Sequence, residues 1–161
     1  MDSHKIIQLN LQKSGTARNE LIAHMLANNI SLALVQEPFV CRHGSLFKVP
    51  HLNGLQLAAV TSAKFLSAII FNKNCVAPLF VPQFSNDHIA VVTLQLGKTQ
   101  LFFSNVYLPP STDIRSEIPT IHRIIRRLQV ADWSLAATST PGRPCGATYE
   151  MMQDLRYFRR S

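Results

Sequence analysis

The chain has 161 residues, of which 47% are hydrophobic and 16% are charged, a balance that excludes a disordered protein and favours one compact domain. Its net charge of +7 is unevenly spread, because residues 1–120 carry nine Lys or Arg against six Asp or Glu, whereas residues 121–161 carry seven against three. Basic surfaces attract nucleic acid. Over half of the excess, however, lies in the last quarter of the chain.

The three cysteines, Cys41, Cys75 and Cys145, form no CxxC pair. This pattern excludes a zinc knuckle or a disulfide framework and favours a reducing compartment. No apolar run reaches the roughly 18 residues of a membrane span, and the first residues lack a basic region followed by an apolar one. We expect an intracellular protein without a membrane segment.

The beginning of the chain shows a strand, a helix and a second strand. Alternating apolar residues predict a strand over His4–Gln12, and helical spacing predicts a helix over Thr16–Asn28 with Arg18 on its polar side. A nearly continuous apolar run predicts a strand buried on both faces over Ile30–Val35. This order of elements predicts a parallel pair of strands.

The rest of the chain predicts more strands and a second helix. Phe39–Gly54 has the composition of a long loop. The predicted strands are Leu55–Thr61, Ser67–Asn72, Ile89–Leu96 and Gln100–Tyr107. Gly97-Lys98 predicts a tight turn between the last two of them, so the middle of the chain is predicted to be a meander. Ser111-Thr112-Asp113 can cap an amphipathic helix over Ile114–Leu128.

These elements predict an α/β protein in which a mixed sheet is flanked by helices, in a partial two-layer sandwich. Beyond Val130 the periodicity ends. We therefore predict a domain over residues 1–130 and an irregular tail over residues 131–161.

Three polar residues lie where predicted strands end: Asn10, Glu37 and Tyr107. Taken singly, they are explained by a turn, a solvated charge and a half-buried aromatic ring. Taken together, a carboxylate for a hard cation, an amide to orient it and a phenol for a phosphoryl oxygen make a partial phosphoester site, because strand ends are where α/β proteins assemble their sites.

The strings IIQLNLQ, LALVQEPFV and LFFSNVYLPP carry these residues in this order. They resemble the endonuclease/exonuclease/phosphatase superfamily, and especially the endonuclease domain of jockey-type non-LTR retrotransposons, over about residues 5–128. The resemblance implies the α/β sandwich of that superfamily and magnesium-dependent cleavage of DNA. It also implies that Asn10 organises the site, that Glu37 holds Mg²⁺, and that Tyr107 contacts the scissile phosphate.

The same family pattern continues with a GDFN-type segment and with an Asp-His pair near the end of the domain, and the chain shows neither at those places. His122, Asp132 and Asp154 lack the right context and are interpreted as solvated groups. His51 and His88 are interpreted as surface or turn residues. We therefore expect a truncated endonuclease-like domain of a retrotransposon reverse transcriptase polyprotein that has lost its nicking activity.

Two other functions compete with this interpretation. The first is a non-catalytic nucleic-acid-binding remnant that uses the arginines near the C-terminus. These are Arg123, Arg126, Arg127, Arg156, Arg159 and Arg160. The second is a translated relic without function. DNA is the expected partner of the endonuclease, which would act in the nucleus.

The absent GDFN segment has a candidate origin in a frameshift between about Ile124 and Asp132. If the third base of each codon is joined to the first two bases of the next, Leu135–Pro141 permits the peptide GGDFNA, and Cys145–Thr148 permits WGD. Jockey-type endonucleases, by resemblance, show a WGD triplet shortly after this motif. The tail is then out-of-frame sequence, which also explains its basic charge.

The nucleotide sequence tests this hypothesis. We expect the codons of Leu135–Pro141 to spell GGDFNA when they are read in the shifted frame. Codons that cannot spell that peptide contradict the frameshift and leave an ordinary divergent tail.

Overall fold

A computed structural model describes residues 4–43, 46–48, 52–62, 64–128 and 136–137. Its strands are β1 (Lys5–Asn10), β2 (Ile30–Gln36), β3 (Cys41–His43), β4 (Leu46–Lys48), β5 (Leu55–Ala58), β6 (Ser67–Asn72), β7 (Leu79–Phe80), β8 (Ile89–Leu96), β9 (Thr99–Val106) and β10 (Ala136–Ala137). The α-helices are α1 (Gly15–Ala27) and α2 (Ile118–Leu128), and single turns of 3₁₀-helix cover Pro82–Phe84 and Ile114–Ser116.

The first sheet has the strand order β1-β2-β6-β5. β1 and β2 run parallel and are connected by α1, as predicted, while β6 is antiparallel to both β2 and β5. Every residue of β2 and of β6 is buried. Burial on both faces explains why the two central strands read as continuous apolar runs.

The second sheet has the order β10-β9-β8-β7. β8 and β9 form the predicted hairpin: Leu96 lies opposite Thr99 across the turn at Gly97-Lys98. Gly97 has φ +61°, a conformation that glycine adopts without steric cost. The predicted meander is therefore divided, because β5 and β6 belong to the first sheet and β8 and β9 to the second.

The two sheets pack face to face and carry one helix on each outer side. Leu21, Ile22 and Met25 of α1 pack on the outer face of the first sheet. The inner faces meet in an apolar cluster built from Leu32, Leu34, Ile69, Phe71, Ala90, Val92, Leu94 and Phe103. Ile124 of α2 packs on the outer face of the second sheet. The predicted α/β class, with a mixed sheet flanked by helices in a partial sandwich, is confirmed. The described residues form four layers where two were predicted, in the order helix, sheet, sheet and helix.

Helix α1 begins with a side-chain cap, since the Ser14 hydroxyl accepts a hydrogen bond from the Ala17 N–H at 3.2 Å. The predicted outward direction of Arg18 is wrong. Arg18 is 7% exposed and shares the buried face with Leu21 and Met25, three and seven residues further on. Its guanidinium lies 5.0 Å from the centre of the Phe39 ring, a cation–π contact that helps to accommodate the buried charge.

Other differences from the sequence prediction are local. The predicted loop over Phe39–Gly54 contains the hairpin of β3 and β4, and the short strand β7 was not predicted. The predicted helix over Ile114–Leu128 is divided, since Asp113 caps a 3₁₀ turn and α2 begins at Ile118. None of the helices in the described ranges is long and apolar enough to cross a membrane. The predicted boundary near residue 130 lies outside the described residues.

Asn105 of β9 connects the two sheets. Its side chain is fully buried, and its Nδ2 donates to the carbonyl oxygens of Val35 in β2 at 2.7 Å and Ala68 in β6 at 3.0 Å. A third hydrogen bond joins the same strands, since the Ser67 hydroxyl of β6 donates to the backbone carbonyl of Asn105 at 2.8 Å. A buried polar group left without a partner costs about 1–3 kcal/mol. These bonds therefore fix how β9 lies over β2 and β6.

Candidate active site

The parallel pairing of β1 and β2 brings Asn10 and Glu37 to the same edge of the first sheet. Asn10 is the last residue of β1 and lies opposite Gln36, the last residue of β2. Glu37 follows directly. The β-α-β order of the sequence is thus sufficient to place the amide and the carboxylate side by side.

The second sheet places Tyr107 at the same edge. The Gln36 side chain donates from Nε2 to the Val106 carbonyl at 3.3 Å, so the ends of β2 and β9 lie together. Tyr107 follows Val106, and its hydroxyl donates to Oε1 of Glu37. The three residues predicted from the sequence therefore meet, although their chemical roles stay predictions.

The phenol of Tyr107 is held in its protonated form. The pKa of Tyr107 is raised to about 12, chiefly by burial and also by the hydrogen bond to Glu37 and the negative charge of that carboxylate, while a hydrogen bond from Asn10 opposes the rise. The side-chain oxygen Oδ1 of Asn10 also accepts from the Gln12 N–H at 2.7 Å, which fixes the side-chain amide. At neutral pH the phenol is a hydrogen-bond donor.

The backbone that presents Glu37 is in an unusual conformation. Glu37 has φ +45°, and Gln12 and Lys13 in the facing turn have φ +49° and +56°. A side chain with a Cβ atom pays on the order of 1–2 kcal/mol in this region. Two hydrogen bonds hold Glu37 there: its N–H donates to Leu66 O at 2.8 Å, and its carbonyl accepts from Lys13 N–H at 2.9 Å. Such strain concentrates at functional sites.

The oxygen donors at this edge, one carboxylate and one amide, are of the type that a hard divalent cation takes. No group of three or more His, Cys, Asp or Glu side chains that could hold a metal lies within the described ranges. Mg²⁺ does not need such a group, because it keeps several waters and takes one or two carboxylates together with substrate phosphates. The carboxylate of Glu37 and the amide oxygen of Asn10 fit this pattern.

A second polar cluster, formed by Asn86, His88 and Glu117, borders the site. Glu117 is 8% exposed; its Oε2 accepts from Asn86 Nδ2 and its Oε1 from His88 Nδ1, each at 2.8 Å. The His88 carbonyl accepts the Tyr107 N–H at 2.9 Å. The interpretation of His88 as a surface or turn residue missed this cluster. The sequence did contain a signal that His88 lies near the site, since a tight turn at Gly97-Lys98 places His88 opposite Tyr107 in the hairpin.

The other residues considered from the sequence do not join the site. His122 is exposed on α2. His51, Asp132 and Asp154 lie outside the described residues. Arg123, Arg126 and Arg127 are exposed on α2, while Arg156, Arg159 and Arg160 also lie outside the described part of the chain.

The fold matches solved nuclease structures. The endonuclease domain of TRAS1, a telomere-specific non-LTR retrotransposon, matches with a TM-score of 0.65 at 23% identity, over 78% of this chain and 53% of that one. The AP endonuclease LMAP of Leishmania major matches with a TM-score of 0.54 at 11% identity, over 78% and 49%. D. rerio TDP2, complexed with a single-strand DNA product, matches with a TM-score of 0.52 at 10% identity, over 82% and 57%.

These matches establish the class of fold, which is that of the endonuclease/exonuclease/phosphatase nucleases. The predicted resemblance to a non-LTR retrotransposon endonuclease domain is confirmed at the level of the fold. The chain spans about half the length of the solved structures it matches. No protein-family model and no curated protein matches the sequence.

Replacing Glu37 by glutamine tests the phenol–carboxylate pair. We expect Glu37→Gln to lower the pKa of Tyr107 from about 12 while leaving it above 10, because the charge disappears but burial, the largest cause, remains. Absorbance titration measures this in a Tyr149→Phe/Tyr157→Phe background, where Tyr107 is the sole tyrosine. Asn10→Ala is the control, since losing its bond must not lower the pKa. An unchanged pKa in Glu37→Gln contradicts the pair.

Proposed function

We propose that this chain carries one part of a magnesium-dependent endonuclease domain of a non-LTR retrotransposon reverse transcriptase polyprotein. The observation that carries the proposal is the meeting of Asn10, Glu37 and Tyr107 at one edge of a nuclease-type fold. The substrate proposed is a DNA phosphodiester.

The described side chains support distinct tasks in phosphodiester cleavage. The phenol of Tyr107, kept protonated by its surroundings, is suited to donate a hydrogen bond to a phosphoryl oxygen. The fixed amide of Asn10 orients the groups around it, as its bond to the Gln12 N–H indicates. Glu37 and Asn10 would hold Mg²⁺, which supplies charge to polarise the phosphate when it is bound.

The groups that activate water and stabilise the transition state in such an enzyme are not recognisable in these 161 residues. By resemblance they belong to a GDFN-type segment and an Asp-His pair near the end of the domain. The frameshift hypothesis assigns the first of these to Leu135–Pro141. In support, Ala136 and Ala137 from this segment pair with Asn105 and Val106 of β9, so a motif translated there would lie beside Tyr107.

The 161-residue chain is predicted to lack nicking activity. Loss of each group lowers the rate of cleavage on the order of a hundredfold or more, so the loss of both is expected to bring nicking below the detection limit. Conversion of supercoiled plasmid to the relaxed circle, with Mg²⁺ and with EDTA, measures it. Magnesium-dependent nicking by this chain that disappears in Glu37→Ala contradicts the predicted loss.

A chain with the reading frame restored after about Ile124 is the matched comparison. It is expected to nick plasmid in the presence of Mg²⁺, and Glu37→Ala in the restored chain is expected to abolish nicking. A restored chain that folds and contains GGDFNA but does not nick contradicts the endonuclease proposal itself. The restored chain thus tests whether the domain is an endonuclease, and the 161-residue chain tests whether this sequence has lost the activity.

Nucleic-acid binding without cleavage is the second candidate function. It is favoured by the charge of α2, where Arg123, Arg126 and Arg127 are exposed and no acidic residue occurs. The guanidinium of Arg123 lies 5.8 Å from the centre of the Phe84 ring, so this arginine contacts the 3₁₀ turn at Pro82–Phe84. A row of exposed cations on one helix can follow a phosphate backbone.

Salt dependence measures how many of these cations contact phosphate. Replacing Arg126 and Arg127 by alanine is expected to make the slope of log K against log salt shallower by about 2, because each phosphate contact releases about one counterion. Lys73→Ala/Lys98→Ala is the control of equal charge, since both lysines are exposed at turns between strands. Equal slopes for the two double variants exclude α2 as the contact surface.

A further inference from the structure

The three-residue segment Asn86–His88 holds the backbone of both Glu37 and Tyr107. The carbonyl of His88 accepts the Tyr107 N–H at 2.9 Å. The carbonyl of the preceding residue, Asp87, accepts the Leu66 N–H at 2.6 Å, and the carbonyl of Leu66 accepts the Glu37 N–H at 2.8 Å. The carbonyl of His88 thus binds the amide of Tyr107 directly, and the carbonyl of Asp87 is connected to the amide of Glu37 through Leu66.

The segment is itself fixed by its own side chains. Asn86 Oδ1 accepts from the backbone N–H groups of His88 at 2.8 Å and Ile89 at 2.9 Å, which closes a turn just before β8. The hydroxyl of Ser62 donates to Oδ1 of Asp87. The segment is thus a built turn that ends where the second sheet begins.

One carboxylate fixes this turn from outside. Glu117 accepts from Asn86 Nδ2 with one oxygen and from His88 Nδ1 with the other, both at 2.8 Å. A carboxylate has no proton to give, so His88 carries its proton on Nδ1. Glu117 also accepts the Ile121 N–H with its backbone carbonyl at 3.0 Å, which ties it to the first turn of α2.

We infer that Glu117 and His88 are positioning residues for the Glu37–Tyr107 pair. They act through the turn at Asn86–His88 and not by contact with substrate. The burial of Glu117 supports this role, because a carboxylate taken out of water is retained where both of its oxygens are bonded. The inference concerns the site named in the proposed function, but it rests on bonds that exist without substrate.

Amide hydrogen exchange of the full 161-residue chain, followed by NMR, tests the inference. His88→Ala removes the ring but keeps the carbonyl that holds Tyr107. We expect exchange at the amides of Tyr107 and Leu66 to become roughly tenfold faster, the equivalent of about one net hydrogen bond. Core amides of β2 and β6 that the turn does not contact, such as those of Leu34 and Ile70, are expected to keep their rates.

His88→Asn is the conservative variant, since its side-chain amide places an N–H donor near the position of Nδ1. It is expected to restore the Tyr107 and Leu66 rates to within about twofold of the original chain. Glu117→Gln keeps one acceptor oxygen but turns an N–H toward a donor, so it is expected to behave like His88→Ala. Asp113→Ala is the control, because this carboxylate caps the neighbouring 3₁₀ turn without touching Asn86–His88.

The hydroxyl proton of Tyr107 gives a second readout, because its hydrogen bond to Glu37 is expected to slow its exchange with water. The inference requires this resonance to broaden in His88→Ala and to return in His88→Asn. Unchanged rates in a folded His88→Ala chain overturn it, as does acceleration spread evenly over all core amides, or a failure of His88→Asn to restore them. Neither magnesium nor DNA enters the experiment, so its result is independent of whether the proposed nuclease function holds.

Discussion

The arrangement of the site depends on the buried amide of Asn105. This side chain sits between the two sheets and donates to one carbonyl of β2 and one of β6, in a region where neither carbonyl can reach water. Apolar packing between sheets is not directional and would tolerate small shifts of one sheet over the other. Hydrogen bonds to two fixed carbonyls do not tolerate such shifts, so they hold the end of β9 over the end of β2.

Because these hydrogen bonds fix the two sheets relative to each other, the candidate site is formed by residues of both sheets. Glu37 leaves the first sheet and Tyr107 leaves the second, and their bond closes the edge where the two sheets meet. The positive φ angle of Glu37 turns its side chain toward that edge. The conformational cost is offset by the hydrogen bonds to Leu66 and Lys13, which exist only when β1, β2 and the turn at Asn86–His88 are in place.

The parts of this arrangement that could be predicted are those set by local patterns. Period-two and continuous apolar runs located the central strands, with β6 and β8 correct at both ends, because burial dictates the residue types there. Asn10, Glu37 and Tyr107 were found because each lies near the end of such a run. The division into two sheets was not predictable from periodicity, since a buried strand has the same composition in either sheet. Glu117 was missed for a related reason: its partners are about thirty residues away in the chain.

The acidic character of the site says more about its chemistry than the positive charge of the chain. A carboxylate such as Glu37 repels a phosphate, and the repulsion is strong where water is partly excluded. The protonated phenol of Tyr107 offsets it only in part, because a phenol donates a hydrogen bond without carrying charge. A phosphodiester can approach this edge closely only if a cation lies between it and the carboxylate. The position of Glu37 therefore fits the metal-assisted cleavage proposed above, in which a divalent cation would lie between the carboxylate and the phosphate.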